Sequence, residues 1–201
     1  AVNIAVDDAG KIADSPDHCP ETQIGKGGTS LATLADWETL LNDVVLESID
    51  VSVQAPLSAL YQTAQLAALA KKRNIEWQQL QGTIGQSPLS YWVQTGSLPI
   101  SFNDAYAEMA ALLRWAKTNM PNLKTIVVST LPYQNSGCSA AQELAYAIAS
   151  GVEYIRQMQA HKLEIDEIAP RMRFDFAIGS NFFMEISKFR AARLLWARIV
   201  E

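Results

Sequence analysis

Histidine is scarce in this chain: His18 and His161 are the only two among 201 residues. Imidazole is the side chain that general acid–base catalysis near neutral pH draws on most often. His18 lies in Asp17-His18-Cys19-Pro20-Glu21, which gathers imidazole, thiol and carboxylate. A zinc site needs three or four protein ligands, and no second Cys/His cluster completes one, so the segment reads as a polar loop. His161 follows a helical repeat and precedes a strand. In a parallel β/α fold that is the end opposite the catalytic face, and the residue reads as part of a helix C-terminus. Cys138 follows Gly137 at the opening of a helix, where a thiol pKa is lowered. With no histidine nearby in sequence it reads as a small buried residue. Gly25-Lys26-Gly27-Gly28-Thr29-Ser30 looks like a phosphate loop but fails its spacing, which puts Lys directly before Ser or Thr. It reads as a flexible loop.

Three further segments are placed at strand ends. Ser129–Gly137 and Gly82–Ser87 offer hydrogen-bonding groups without a strong acid, base or nucleophile. Ala169-Pro170-Arg171-Met172-Arg173, read as a third such loop, brings two guanidinium groups suited to phosphate or carboxylate.

The elements that must position these groups alternate. Val2–Val6, Ile49–Val53, Leu80–Ile84, Thr125–Thr130 and Phe174–Ile178 read as buried strands, short and bounded by turn residues. Between them, Leu57/Leu60/Tyr61/Ala64/Ala68, Tyr106/Met109/Ala110/Leu113 and Leu144/Ala147/Ile148/Gly151/Ile155 carry helical spacing. Thr33…Asp36, Ser101…Asp104 and Ser139…Gln142 mark helix starts as capping boxes. Lys71-Lys72-Arg73-Asn74 and Asn119-Met120-Pro121-Asn122 mark stops. Five strand–helix cycles imply a parallel sheet with right-handed crossovers. Periodicity alone does not separate a doubly wound sheet from part of a (β/α)8 barrel, which needs roughly 250 residues when complete. The irregular loop Asp7–Ser30 follows a strand, on the face where such folds build sites.

Composition narrows the function classes. The chain is 49% hydrophobic and 18% charged, with 16 Lys+Arg against 21 Asp+Glu. A net charge of −5 gives no electrostatic case for nucleic acid or an anionic membrane. Two cysteines fit a reducing, cytoplasmic setting rather than a disulfide scaffold. No run of 18 apolar residues is long enough to span a membrane, and the first residues lack a basic signal-peptide region. The strand-like start without an initiator Met is that of a segment inside a longer protein.

The run from Asn181 to Ala197, with Glu143-Leu-Ala-Tyr, Ser150-Gly-Val-Glu-Tyr, Ile168-Ala-Pro-Arg171 and Gln81-Gly-Thr-Ile84, strongly resembles the methylmalonyl-CoA mutase family. The stretches fall in family order and spacing, densely from about Gln79 onward and more weakly back to Val2–Asp7. The resemblance implies an acyl-CoA (β/α)8 barrel of which residues 1–201 form about five β/α units. In the family, CoA threads the barrel axis and a separate C-terminal domain binds adenosylcobalamin. Active members interconvert succinyl-CoA and (R)-methylmalonyl-CoA by radical rearrangement. Neither the cobalamin domain nor its Asp-x-His-x-x-Gly motif is present in these residues.

The departures from the family pattern fall on its chemistry. Leu131 stands at the family Tyr, Pro132 at the His, Gly85 at a Gln and Thr95 at the Arg that grips the substrate carboxylate. Gln134 and Arg171 are kept, and a Ser is replaced by Arg173. Groups of this kind commonly supply several kcal/mol of barrier lowering. The resemblance therefore implies the non-catalytic small (β) subunit, with no catalytic residue and no metal ligand of its own. Gln134, Arg171 and Arg173 are the remaining substrate-binding candidates. Its partner would be the large subunit, which carries the adenosylcobalamin. Two other readings compete: an active mutase using Tyr133 or Gln134, and an α/β domain binding acyl-CoA or another anion through Arg171 and Arg173. The strand pattern also implies that Val2–Val6 and Phe174–Ile178 are sheet edges, that inward-facing apolar side chains lose partners, and that the chain self-associates.

Overall fold

The computed structural model describes residues 1–201. Strands β1 (Val2–Ala5), β2 (Asp50–Gln54), β3 (Gln81–Gln86), β4 (Asn122–Ser129) and β5 (Met172–Asp175) form one parallel sheet in the order β1-β2-β3-β4-β5. A doubly wound sheet reverses strand order at a switch point, whereas a barrel adds each strand beside the last. The order here never reverses, so the fold is five consecutive units of a β/α barrel with β1 and β5 as open edges.

The helices are α1 (Leu34–Leu40), α2 (Ala59–Lys72), α3 (Pro88–Thr95), α4 (Phe102–Asn119), α5 (Leu131–Asn135), α6 (Ala140–Ala160), α7 (Ile165–Ile168) and α8 (Phe182–Val200). The anticipated caps form. Thr33 and Ser139 make full capping boxes with Asp36 and Gln142, and the Ser101 side chain accepts from the Asp104 amide. On α4, Tyr106, Met109, Ala110 and Leu113 are all buried. They belong to a cluster with Ile126 and Val128 of β4 and with Ala147, Tyr154 and Met158 of α6. Leu112 of α4 instead joins a second cluster around Ile4, Val51, Val53 and Leu66. That helix ties the two halves of the core together.

Helix α2 turns a different face inward than its leucine spacing suggests. Leu60 is 42% exposed, whereas Ala59, Gln62, Thr63, Leu66, Ala67 and Ala70 are buried. The reason is a polar contact inside the core. The fully buried Trp37 Nε1 donates to Gln62 Oε1 at 3.2 Å, which fixes the helix rotation. In an alanine-rich helix the apolar stripes on either side are nearly equivalent, so one buried hydrogen bond decides between them.

The strands are not apolar on both faces. Ile4, Val51, Val53, Ile84, Ile126 and Val128 pack outward among the helices. The alternating positions Asn3, Ser52, Thr83, Arg173 and Asp175 line a cavity on the inner side. The expected apolar inner surface is therefore a polar one. Exposed apolar area gathers instead on α8 and the loop before it, where Ile178, Phe182, Phe183, Met184 and Leu194 are each at least half exposed.

The loop after β1 is tied back to the sheet. Thr29 N donates to Ala5 O at 2.7 Å and Asp7 N to Thr29 O at 3.0 Å. The buried Asp7 carboxylate accepts from Gly10 N at 2.8 Å and Gly25 N at 2.9 Å. A Cβ on Gly28 would lie 2.4 Å from the Ala5 carbonyl, so only glycine lets the loop approach this closely. The reading of Gly25–Ser30 as a free flexible loop is corrected accordingly.

Candidate functional site

The inner face of the sheet opens into a cavity of about 670 Å³ at the C-terminal ends of the strands. Its wall comes from β-strand positions of alternating direction. Ser52 of β2, Thr83 and Gly85 of β3, Val127 and Ser129 of β4, and Arg173 and Asp175 of β5 all face it. Residues after the strands supply the rim: Ser87, Ser90 and Tyr91 around α3, Leu131, Pro132 and Asn135 on α5, and Phe176 and Phe189 beside β5.

Two segments assigned to loops lie elsewhere. β3 continues through Gln86, so Gly82–Gln86 is strand rather than loop. Ala169–Arg171 is a short helical turn leading into β5, at the N-terminal end of the sheet, and Arg173 sits within β5 itself. The apolar run Phe174–Ile178 placed that strand two residues too late. Its register is set by pairing with β4, Val127 opposite Arg173 and Val128 opposite Phe174.

The candidate binding residues are therefore not brought together. Arg171 is buried and its Nη1 donates to Met120 O at 3.1 Å and Leu123 O at 3.0 Å, closing the turn that enters β4. Burial lowers its pKa from the ordinary guanidinium value. Gln134 is absent from the cavity wall, and its Oε1 faces the Cys138 thiol at 3.9 Å. Arg173 alone reaches the cavity. Its Nε donates to Asp175 Oδ1 at 2.7 Å and its Nη1 to Ser52 Oγ at 3.0 Å and Thr83 Oγ1 at 3.3 Å.

Of the four positions that the resemblance reads as altered, Gly85, Leu131 and Pro132 line the cavity, whereas Thr95 bonds Tyr91 O and Ser97 O at the end of α3. Gly85 lies where the β3–β4 register shifts, and a Cβ there would fall 2.6 Å from Val127 Cγ2. A glutamine at that position would need Val127 to move. Pro132 occupies the first turn of α5, where its missing N–H costs nothing and its fixed φ suits the helix.

A buried ionic cluster beside the cavity carries no signal of its own in sequence periodicity. Glu143 of α6 is fully buried, and its Oε1 accepts from Thr130 Oγ1 at 2.5 Å and Ala177 N at 2.9 Å. Lys188 of α8 donates to Glu143 Oε2 at 2.6 Å and Ala177 O at 2.8 Å, and it also pairs with Glu185 at 2.6 Å. Burial alone would lower the Lys188 pKa, but the bonds to Glu143 and Glu185 raise it overall. The cluster pins the chain just after Phe176 and so sets the cavity wall. The one available hint was that both residues lie within resemblance segments.

Burial and the nearby Asp8 carboxylate raise the Tyr91 hydroxyl, which keeps it protonated at neutral pH. Cys138 is half-buried, and burial followed by the Glu143 charge raises its thiol, opposite to the lowering expected at a helix start. His161 caps the C-terminus of α6, and His18 lies 3.6 Å from Asp14 in the β1 loop. Neither histidine borders the cavity. The wall thus offers hydroxyls, two paired cations (Lys11 with Asp8, Arg173 with Asp175) and aromatic edges, a set suited to holding a ligand.

The family model for methylmalonyl-CoA mutase matches residues 1–201. The chain belongs to the methylmalonyl-CoA mutase family. Curated relatives agree. The methylmalonyl-CoA mutase of Cereibacter sphaeroides is 33% identical over 177 residues, 88% of this chain and 25% of the relative. The large subunit of the Streptomyces virginiae enzyme is 32% identical over 178 residues, covering 89% of this chain and 24% of that protein. The small subunit from the same organism is 34% identical over 178 residues, covering 89% and 28%. The chain thus spans about a quarter of the length of the mutases it matches, and identity alone does not separate large from small subunit. No helix is long and apolar enough to cross a membrane.

Proposed function

We infer that this chain belongs to a non-catalytic small subunit of an adenosylcobalamin-dependent methylmalonyl-CoA mutase, supporting a large subunit in the cytoplasm. The observation that carries this reading is the cavity wall at Gly85, Leu131 and Pro132. Glycine, leucine and proline stand there in place of the polarising glutamine, tyrosine and histidine of active members. No imidazole borders the cavity to replace them. The side chains present also do not fit a corrin. Within residues 1–201 the histidines open to a cobalt are His18 and His161, which sit in the β1 loop and on the αβ side of the sheet, away from the cavity. No chemical step is therefore assigned to this chain.

The competing reading, an active mutase using Tyr133 or Gln134, is disfavoured by their placement. The Tyr133 hydroxyl bonds Ser150 Oγ at 3.3 Å, its ring stacks on Tyr146, and neither residue lines the cavity. The test is to assay the full-length protein with adenosylcobalamin and either acyl-CoA, alone and with a large subunit. Turnover only in the mixture, together with a stable heterodimer, supports the reading. Turnover by the protein alone sinks it.

A further inference from the structure

One side chain crosses the inner face of the sheet from an edge strand to the opposite half. Arg173 leaves β5 beside Val127 of β4, and its Nη1 reaches Ser52 of β2 and Thr83 of β3. Ser52 and Thr83 are register partners, so the guanidinium rests on two adjacent hydroxyls. Three strand spacings separate β5 from β2, roughly 14 Å in a flat sheet, farther than an arginine extends. The contact exists because the sheet is curved, and the side chain forms a chord across its hollow side. Gly85, Ser87, Leu131, Pro132 and Asn135 line the cavity on the C-terminal side of this chord, while Ser52 and Thr83 lie at its level.

We propose that Arg173 is a plug: it floors the cavity and stops an extended ligand from running along the inner face of the sheet. The pocket then takes a compact ligand and excludes the long pantetheine arm of coenzyme A. This rests on the family reading, which supplies acyl-CoA as the ligand in question. Three of the side chain's bonds hold it in place, one to Asp175 on its own strand and two to β2 and β3. Swinging it aside would break the 2.7 Å ion pair with Asp175 and strip the guanidinium from both hydroxyls. The same bonds argue against Arg173 as an anchor for a ligand anion. Its Nε and Nη1 are already taken, and the Asp175 carboxylate offsets its charge.

Isothermal titration of the full-length protein with coenzyme A tests the proposal, comparing wild type with Arg173→Ser and Arg173→Ala. Thermal melts identify which variants are folded, and either one suffices. At least tenfold tighter coenzyme A binding by a folded variant than by wild type is expected. An anchoring role predicts the reverse order, so wild type binding as tightly as the variants, or tighter, overturns the plug. Absence of binding in all three overturns it too, since something other than Arg173 then closes the path. Support of the large subunit is read separately, on wild type alone, so failure of the subunit reading shows up independently.

Discussion

Glu143 of α6 and Lys188 of α8 lie 2.6 Å apart, with side chains only 1% and 2% exposed. Removing one partner of such a pair leaves an uncompensated buried charge, which typically costs about 3–5 kcal/mol. Lys188→Ala is expected to lower stability by that order in urea unfolding, and Glu143→Leu with Lys188→Met together to recover most of it. The pH dependence has a definite sign. The folded-state pKa of Lys188 is raised, so its contribution is complete below the unfolded-state value of about 10.4 and is lost as pH rises through the folded value. Stability measured above pH 10 should therefore fall more steeply for wild type than for the double variant.

Arg171 is bonded to carbonyls at the start of β4 and is expected to serve the sheet. Arg171→Ala removes the charged donor from two carbonyls at the turn into β4, with an expected loss of at least about 1.5–3 kcal/mol. Coenzyme A affinity, measured in the folded variant, should not change. A selective loss of ligand binding at unchanged stability would contradict this role.

Gly151 sets how closely α8 approaches α6. A Cβ there would lie 2.9 Å from the Trp196 ring and 3.0 Å from Phe174. Gly151→Val is expected to cost about 1–3 kcal/mol by overpacking and to loosen α8. Faster tryptic cleavage at Arg190 and Arg193 would report the loosening.

The apolar surface of α8 and the loop before it is expected to make the 201-residue segment associate. Ile178, Phe182 and Phe183 are 77%, 69% and 78% exposed, more than a solvated helix normally presents. Light scattering at micromolar concentration should show oligomers, and Phe182→Ser with Phe183→Ser should shift them toward monomer. A monodisperse wild-type monomer would contradict the expectation.

Pro132→His alone should not yield mutase turnover, even with a cobalamin domain supplied. Gly85, Leu131 and Thr95 remain altered, and groups that act as a unit do not add. Proline also fixes the first turn of α5, so a histidine placed there need not point where the family's does. Measurable isomerisation by the single variant is the opposing result.

Much of the fold follows from local chemistry that the sequence carries by itself. Capping boxes at Thr33 and Ser139 and the side-chain cap at Ser101 are short-range and form locally. The stripe on α4 faces the core, with Asn103, Asp104, Arg114 and Lys117 on its exposed side. Tertiary structure decided what depends on distant partners. Sheet order needs long-range pairing, and it separated a barrel from a doubly wound sheet. The rotation of α2 turned on the bond between Trp37 and Gln62, 25 residues apart. Arg171 and Arg173 are two positions apart on one short segment, yet one is buried against the Met120 and Leu123 carbonyls and the other reaches across the inner face to Ser52 and Thr83. Strand pairing fixes which groups each of them meets, and no local pattern in the residues records that pairing.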